Sequence, residues 1–168
     1  MKKFLSMAAL LVMAAMCLTA CGSDDEPKQN NATATYEMTF SQDVLNNFDV
    51  YLVYKAANGR NTPESVNTTN WTKTATCDKL PAEFGVKYIF SPKDGLTLDK
   101  EKYDLKVNFK ISITKGGTTY TGENLISNST GLKKEKVLEY MEKLSGKSIG
   151  YNVSKSGITE NRNLNYDI

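Results

Sequence analysis

From Tyr36 onward, apolar and polar residues alternate with period two, the spacing of a strand that buries one face. Tyr36, Met38 and Phe40 alternate with Glu37 and Thr39. Phe48, Val50, Leu52 and Tyr54 form a second set that ends at the turn dipeptide Asn58-Gly59. Trp71 to Cys77 is threonine-rich and reads as a third strand, and Phe84, Val86, Tyr88 and Phe90 as a fourth, closed by Pro92-Lys93-Asp94-Gly95. The clearest run is Tyr103, Leu105, Val107, Phe109, Ile111 and Ile113, alternating with Asp104, Lys106, Asn108, Lys110, Ser112 and Thr114. That is an antiparallel strand with one dry and one wet face. Gly116-Gly117 then turns the chain into Thr118 to Thr121, a hairpin partner. Ile149, Tyr151 and Val153 repeat the period, and Leu164 to Tyr166 is a candidate for one more short strand.

One segment changes period. In Lys133 to Leu144 the apolar residues Val137, Leu138, Met141 and Leu144 follow helical spacing, and Gly146 stands where a helix terminates. Glu139 and Lys143 form a favourable pair at four-residue spacing, whereas Lys133, Lys134 and Lys136 oppose the helix dipole at its start. About seven short strands, hairpin turns and one helix predict a mainly β domain. The expected form is an antiparallel β-sandwich, immunoglobulin- or transthyretin-like, with a short helix in its C-terminal half. An up-and-down barrel is the alternative, and it would hold a lipophilic ligand.

The N-terminal part has a different pattern. Lys2 and Lys3 precede an apolar stretch from Phe4 to Leu18. As a helix it is ~22 Å long, shorter than the ~30 Å hydrocarbon core of a bilayer. It therefore reads as a secretory signal and not a span. Leu18, Thr19, Ala20 and Cys21 follow, and then Gly22 with the acidic run Ser23-Asp24-Asp25-Glu26. Leu18-Thr19-Ala20-Cys21 resembles the lipobox of bacterial lipoprotein precursors. The resemblance implies cleavage before Cys21, diacylglycerol on its thiol and a fatty acyl chain on the new amino terminus. At ~0.8 kcal/mol per buried CH₂, two or more chains anchor stably where one binds reversibly. Ser23 to Glu26 is similar to the export signal of surface lipoproteins of Bacteroidetes-type bacteria, and the competing reading is an acidic linker. The organisation expected is a signal peptide over 1–20, a lipidated Cys21 with a flexible acidic tether over 21–34, and one domain over 35–168. Gly22 to Ala34, with Pro27 and an Asn-rich patch, would span ~20 Å on average and ~45 Å when stretched.

Composition narrows the chemistry. Removing residues 1–20 from the 168 leaves 148, enough for one cored domain. Two of the 21 basic residues and none of the 19 acidic ones lie in the signal, so the formal charge of +2 falls to zero and no basic footprint for nucleic acid remains. Cys17 lies in the signal and Cys21 is expected to be lipidated, so Cys77 has no disulfide partner within the mature chain and reads as a small apolar core residue. Histidine is absent from the chain, which excludes Ser-His-Asp and Cys-His catalysis and every metal site built on imidazole. An enzyme would need carboxylates, lysines or tyrosines, and no motif singles out a pair. Asp94-Gly95 with Asp99 lacks the alternating oxygen ligands of an EF-hand. No catalytic residue, metal or cofactor is therefore expected beyond the covalent lipid.

Fifteen aromatics remain after the signal: nine tyrosines, five phenylalanines and Trp71. Exposed tyrosine and tryptophan stack on the apolar faces of sugars while keeping a polar handle wet. Tyr51 lies on the opposite strand face from Val50 and Leu52, Trp71 follows a Ser/Asn/Thr-rich loop, and Tyr120 follows the Gly116-Gly117 turn. These three are the candidate ligand residues, and the competing reading makes all of them core or edge residues. The function expected is that of an outer-membrane lipoprotein, facing the cell surface or alternatively the periplasm, that acts as a non-catalytic binding module. Glycan capture for nutrient uptake comes first, a structural or adhesive subunit binding an outer-membrane protein second, and a carboxylate-based enzyme third.

Overall fold

The computed structural model describes residues 30–168. The signal segment 1–20 with Leu18, Thr19 and Ala20, the Cys21 lipidation site and the acidic run Ser23 to Glu26 all lie outside the described residues. The elements follow in the order β1 (Ala32–Phe40), α1 (Gln42–Asn47), β2 (Phe48–Lys55), β3 (Asn61–Val66), β4 (Asn70–Cys77), β5 (Ala82–Pro92), β6 (Lys102–Lys115), β7 (Thr118–Lys133), α2 (Lys134–Leu144), β8 (Ser148–Val153) and β9 (Ile158–Glu160). They build two antiparallel sheets, one ordered β4-β1-β6-β7 and the other β3-β2-β5-β8-β9. The fold is a mainly β sandwich. The chain changes sheet after β1, β3, β4, β5 and β7, and only β2–β3, β6–β7 and β8–β9 are sequential pairs. An up-and-down barrel pairs each strand with the next, so that alternative is set aside.

Period two on each strand explains the core. Tyr103, Leu105, Val107, Phe109, Ile111 and Ile113 of β6 all point inward and are fully buried. Met38, Tyr36 and Ala34 of β1 pair with Phe109, Ile111 and Ile113, so the two strands bury one face in common. From the other sheet Phe48, Val50, Leu52, Phe84 and Val86 close the layer. Tyr36 also ties the sheets together. The β2–β5 register ends at Tyr54↔Val86, and there the Tyr36 hydroxyl donates to the Lys55 carbonyl (2.7 Å) and accepts from the Gly85 amide (3.3 Å). Burial holds this phenol well above its ordinary pKa, so it stays a donor.

Four expectations are corrected. β1 begins at Ala32, and Ala32 and Ala34 are buried, so residues 32–34 belong to the domain and not to the tether. β7 runs to Lys133, far beyond Thr121. Its inward residues after Tyr120 are Gly122 and Asn124, followed by an irregularity in register near Ile126, and that pattern carries no apolar alternation. In α2, Val137 and Met141 are buried while Leu138 is exposed, so the apolar face is narrower than the spacing suggests. Ser145 N ends the helix by donating to Met141 O and Glu142 O, and Gly146 follows at φ 79°.

The fourth correction concerns the C-terminus. Leu164 to Tyr166 forms no strand; β9 lies earlier, and the tail crosses the outer face of the five-stranded sheet as a strap. Leu164 and Tyr166 are buried against Val53. Gly85 and Gly150 are paired across β5 and β8 and face outward beneath the strap. A Cβ at Gly150 would lie 2.4 Å from Leu164 Cδ1, and one at Gly85 2.4 Å from the Tyr166 hydroxyl. The Asn61 amide on β3 holds the far end by donating to Asp167 O (2.6 Å). Two missing side chains thus form the trough in which the tail lies.

Candidate functional site

The three aromatics singled out from sequence do not form one platform. Trp71 is 5% exposed. It pairs with Met38 on the inward face of β4 and packs against Tyr36 and Tyr54, with ring centroids 6.4 and 5.3 Å apart. It is a core residue. The physical reason is that strand β4 starts at Asn70, so Trp71 shares a face with Ala75 and Cys77. Tyr51 is 36% exposed on the outer face of the five-stranded sheet. Tyr120 is 40% exposed and belongs to β7, the edge of the other sheet, where it pairs with inward-facing Ile113. Tyr51 and Tyr120 therefore lie on different sheets and different faces.

Tyr120 lies near a candidate site, at the seam where β7 meets β8, without lining it. Its ring packs at a tilt against Tyr151 of β8, with centroids 5.6 Å apart and an interplanar angle of 57°. Gly122, two residues on, makes this possible, since a Cβ there would lie 2.5 Å from the Tyr151 hydroxyl. Asn124, the next inward residue, donates from Nδ2 to that hydroxyl at 3.3 Å. Burial raises the Tyr151 pKa, partly offset by the Asn124 bond, so the phenol keeps its own proton to donate. Asn124 also forms the wall of a cleft of about 460 Å³ that includes Tyr88, Leu125, Ile126, Leu144, Lys147, Ser148, Ile149 and Arg162. That volume lies within the ~300–1,000 Å³ of small-molecule sites. Apolar surface comes from Ile126, Leu144 and Ile149, and polar groups come from Asn124, Ser148, Lys147 and Arg162. Tyr88 is raised by burial and drawn back slightly by the charge of Arg162.

Two other hollows lie at the ends of the sandwich. One, of about 630 Å³, is lined by Asn58, Gly59, Cys77, Asp78, Lys79, Pro81, Ala82 and Glu83. It offers a sugar no aromatic face. Cys77, at its floor, is free and buried, and burial raises its thiol pKa, which matches the expected small apolar role and opposes nucleophilicity. The second hollow, at the opposite end, is lined by Asp43, Asp94, Asp99, Lys93, Lys100 and Tyr103 among others. Asp43 there is committed to structure. One oxygen binds Lys100 Nζ at 2.6 Å and the other accepts from Asp104 N at 2.9 Å. Partial burial pushes its pKa up, but the Lys100 and Asp104 bonds outweigh that and hold it below the ordinary value. Among the described residues no cluster of three or more metal-ligating side chains occurs.

Sequence reasoning reached Tyr120 but not Asn124, Lys147 or Arg162. The available signal was Tyr120, Gly122 and Asn124 at period two, a small residue between two ligand-competent ones. The partner strand was not legible. No family model matches the chain, and no curated protein and no solved structure matches it either.

Proposed function

We propose that this protein is a lipid-anchored, non-catalytic binding module whose β7–β8 cleft holds a saccharide. The observation that supports this most is a small-molecule-sized cleft walled by Asn124, whose amide bonds the Tyr151 hydroxyl, with the partly exposed Tyr120 ring packed against Tyr151 outside the lining. A cleft that offers a side-chain amide and apolar walls, with an exposed aromatic near its mouth, suits a sugar, which presents an apolar face and hydroxyls at its rim. The anchor is Cys21, read from its lipobox. The domain would then hang from Ala32, at the end carrying Asn58-Gly59 and Gly116-Gly117, which leaves the cleft on the flank of the sandwich.

Retention on a panel of neutral and charged polysaccharides tests the reading. Tyr120→Ala and Asn124→Ala should each weaken retention of the bound polymer about tenfold, in line with ~1–2 kcal/mol for a stacked ring or a buried hydrogen bond. Unchanged retention in both variants refutes the site. A second reading is a protein interface along the β7 edge, favoured by Leu125, which is 64% exposed beside the register irregularity of that strand. Stoichiometric capture of an outer-membrane protein, lost in Leu125→Asp, would favour it.

A further inference from the structure

The cleft carries charge of one sign. Its lining has two cations, Lys147 and Arg162, and no carboxylate. Both are held on fixed backbone. Tyr88 N donates to Lys147 O (3.0 Å), and the preceding Gly146 N donates to Tyr88 O (2.8 Å), so the chain at Lys147 is fastened to β5 on both sides. Ser148 Oγ donates to Arg162 O (2.9 Å), and Asn161 N donates to Gly150 O (2.7 Å). Asn163 N closes a local turn on Asn161 Oδ1 (2.9 Å), and beyond it the strap is buried through Leu164 and Tyr166. The strap thus carries Arg162 to the cleft.

The opposing charges are fewer. Glu160 engages Arg162 through Nε, whereas Lys147 makes none of the eight ion pairs formed among the described residues. The C-terminal end of α2 reaches the cleft and contributes a negative pole equivalent to roughly half a charge. Its Met141 and Glu142 carbonyls already accept from Ser145 N. The Glu160 carboxylate balances the Arg162 guanidinium, and the unpaired Lys147 ammonium outweighs the pole of roughly half a charge, so the cleft is net positive.

We infer that the cleft selects an anionic saccharide unit, one bearing a carboxylate or a sulfate, with Lys147 and Arg162 facing the acidic group. This rests on the saccharide reading above. A neutral sugar leaves Lys147 bound only to water and Arg162 only to Glu160 and water, whereas an acidic one gains charge-assisted hydrogen bonds from Lys147 and from the two Nη groups that Glu160 leaves open on Arg162.

Retention of four polymers tests it: polygalacturonate and its carboxyl-reduced form, keratan sulfate and its desulfated form. The expected result is tighter retention of at least one charged polymer than of its uncharged counterpart, and the responding pair identifies carboxylate or sulfate as the recognised group. Lys147→Gln and Arg162→Gln should each weaken that retention about fivefold, the scale of a solvent-exposed ion pair, and raised salt should do the same. Each variant should keep the parent's thermal midpoint, which separates lost contact from lost fold. Equal retention of charged and uncharged forms, or indifference to both substitutions while Tyr120→Ala still weakens binding, overturns the inference and leaves the saccharide reading standing. No retention of any of the four, together with silence across the wider panel, overturns both.

Discussion

Gly150→Ala should destabilise the full chain and stabilise a chain that ends at Glu160. In the full chain the new Cβ meets Leu164 Cδ1 at 2.4 Å, Asn161 O at 2.8 Å and Leu164 Cγ at 2.9 Å, and every one of these atoms belongs to the strap. Either the strap moves outward by about an ångström or Leu164 leaves its site, and overpacking of this kind costs ~1–3 kcal/mol. Removing the strap removes all three of these contacts. The ordinary Gly→Ala gain of ~0.4–1 kcal/mol, from a less flexible unfolded chain, then stands alone. Truncation itself should cost ~3–6 kcal/mol for the buried Leu164 and Tyr166. Gly85→Ala is the control. Its Cβ would meet Ile149 O at 2.5 Å and Gly150 Cα at 2.6 Å as well as the Tyr166 hydroxyl, so its cost should survive truncation. Urea denaturation of the four variants and two parents reads all of this as a double-mutant cycle. If Gly150→Ala has the same sign and size with and without residues 161–168, the trough was not shaped for the strap and the reasoning fails.

Tyr36→Phe should cost ~1–3 kcal/mol in urea denaturation, because it leaves Lys55 O and Gly85 N without their shared buried partner. Trp71→Ala should cost ~3–5 kcal/mol, the scale of a core aromatic, and thermal melting at equal polysaccharide concentration should show a lost fold and not a lost ligand contact. Asp43 has a folded pKa below its unfolded value, so it contributes stability above the unfolded carboxylate pKa that is lost as pH falls through the folded one. The stability of Asp43→Asn should accordingly fall less steeply than the parent's on acidification below about pH 4, read from melting curves across pH. Protease treatment of intact cells should remove the domain if the anchor faces outward, and Asp24→Ala with Asp25→Ala should protect it; an untouched parent would place the domain in the periplasm.

The strands legible in the sequence were those whose inward residues are all apolar. β6 is the extreme case, with six consecutive inward residues fully buried. Illegible elements failed for identifiable reasons. β3, Asn-Thr-Pro-Glu-Ser-Val, is an edge strand in which Glu64 answers Lys73 across the seam at 2.8 Å, so an ion pair stands where an apolar residue would have signalled burial. α1 is six residues long and is fixed by Ser41 and Asp43 bonding to β6, contacts between residues about sixty positions apart. The strap shows only the pair Leu164 and Tyr166 at period two, which reads as a strand, because its true burial depends on two glycines that face each other only once β5 and β8 have paired.

The candidate site was legible only in part for a related reason. Trp71 was misplaced by the polar loop before it, although Trp71, Ala75 and Cys77 already share one face at period two. Tyr120 was identified through its turn. Tyr120 itself meets Tyr151 of β8, and the cleft beyond Asn124 is built from β8, the end of α2 and the strap, segments that only the sheet order brings together.

The central claim is that the β7–β8 cleft is the ligand site. Amide chemical-shift mapping of the ¹⁵N-labelled domain, titrated with an oligosaccharide from the retained polymer, tests it most directly. The account predicts saturable shifts confined to residues 120–126, 146–149 and 161–163. Shifts centred instead on Tyr51 and Ile89, on the outer face of the five-stranded sheet, would contradict it.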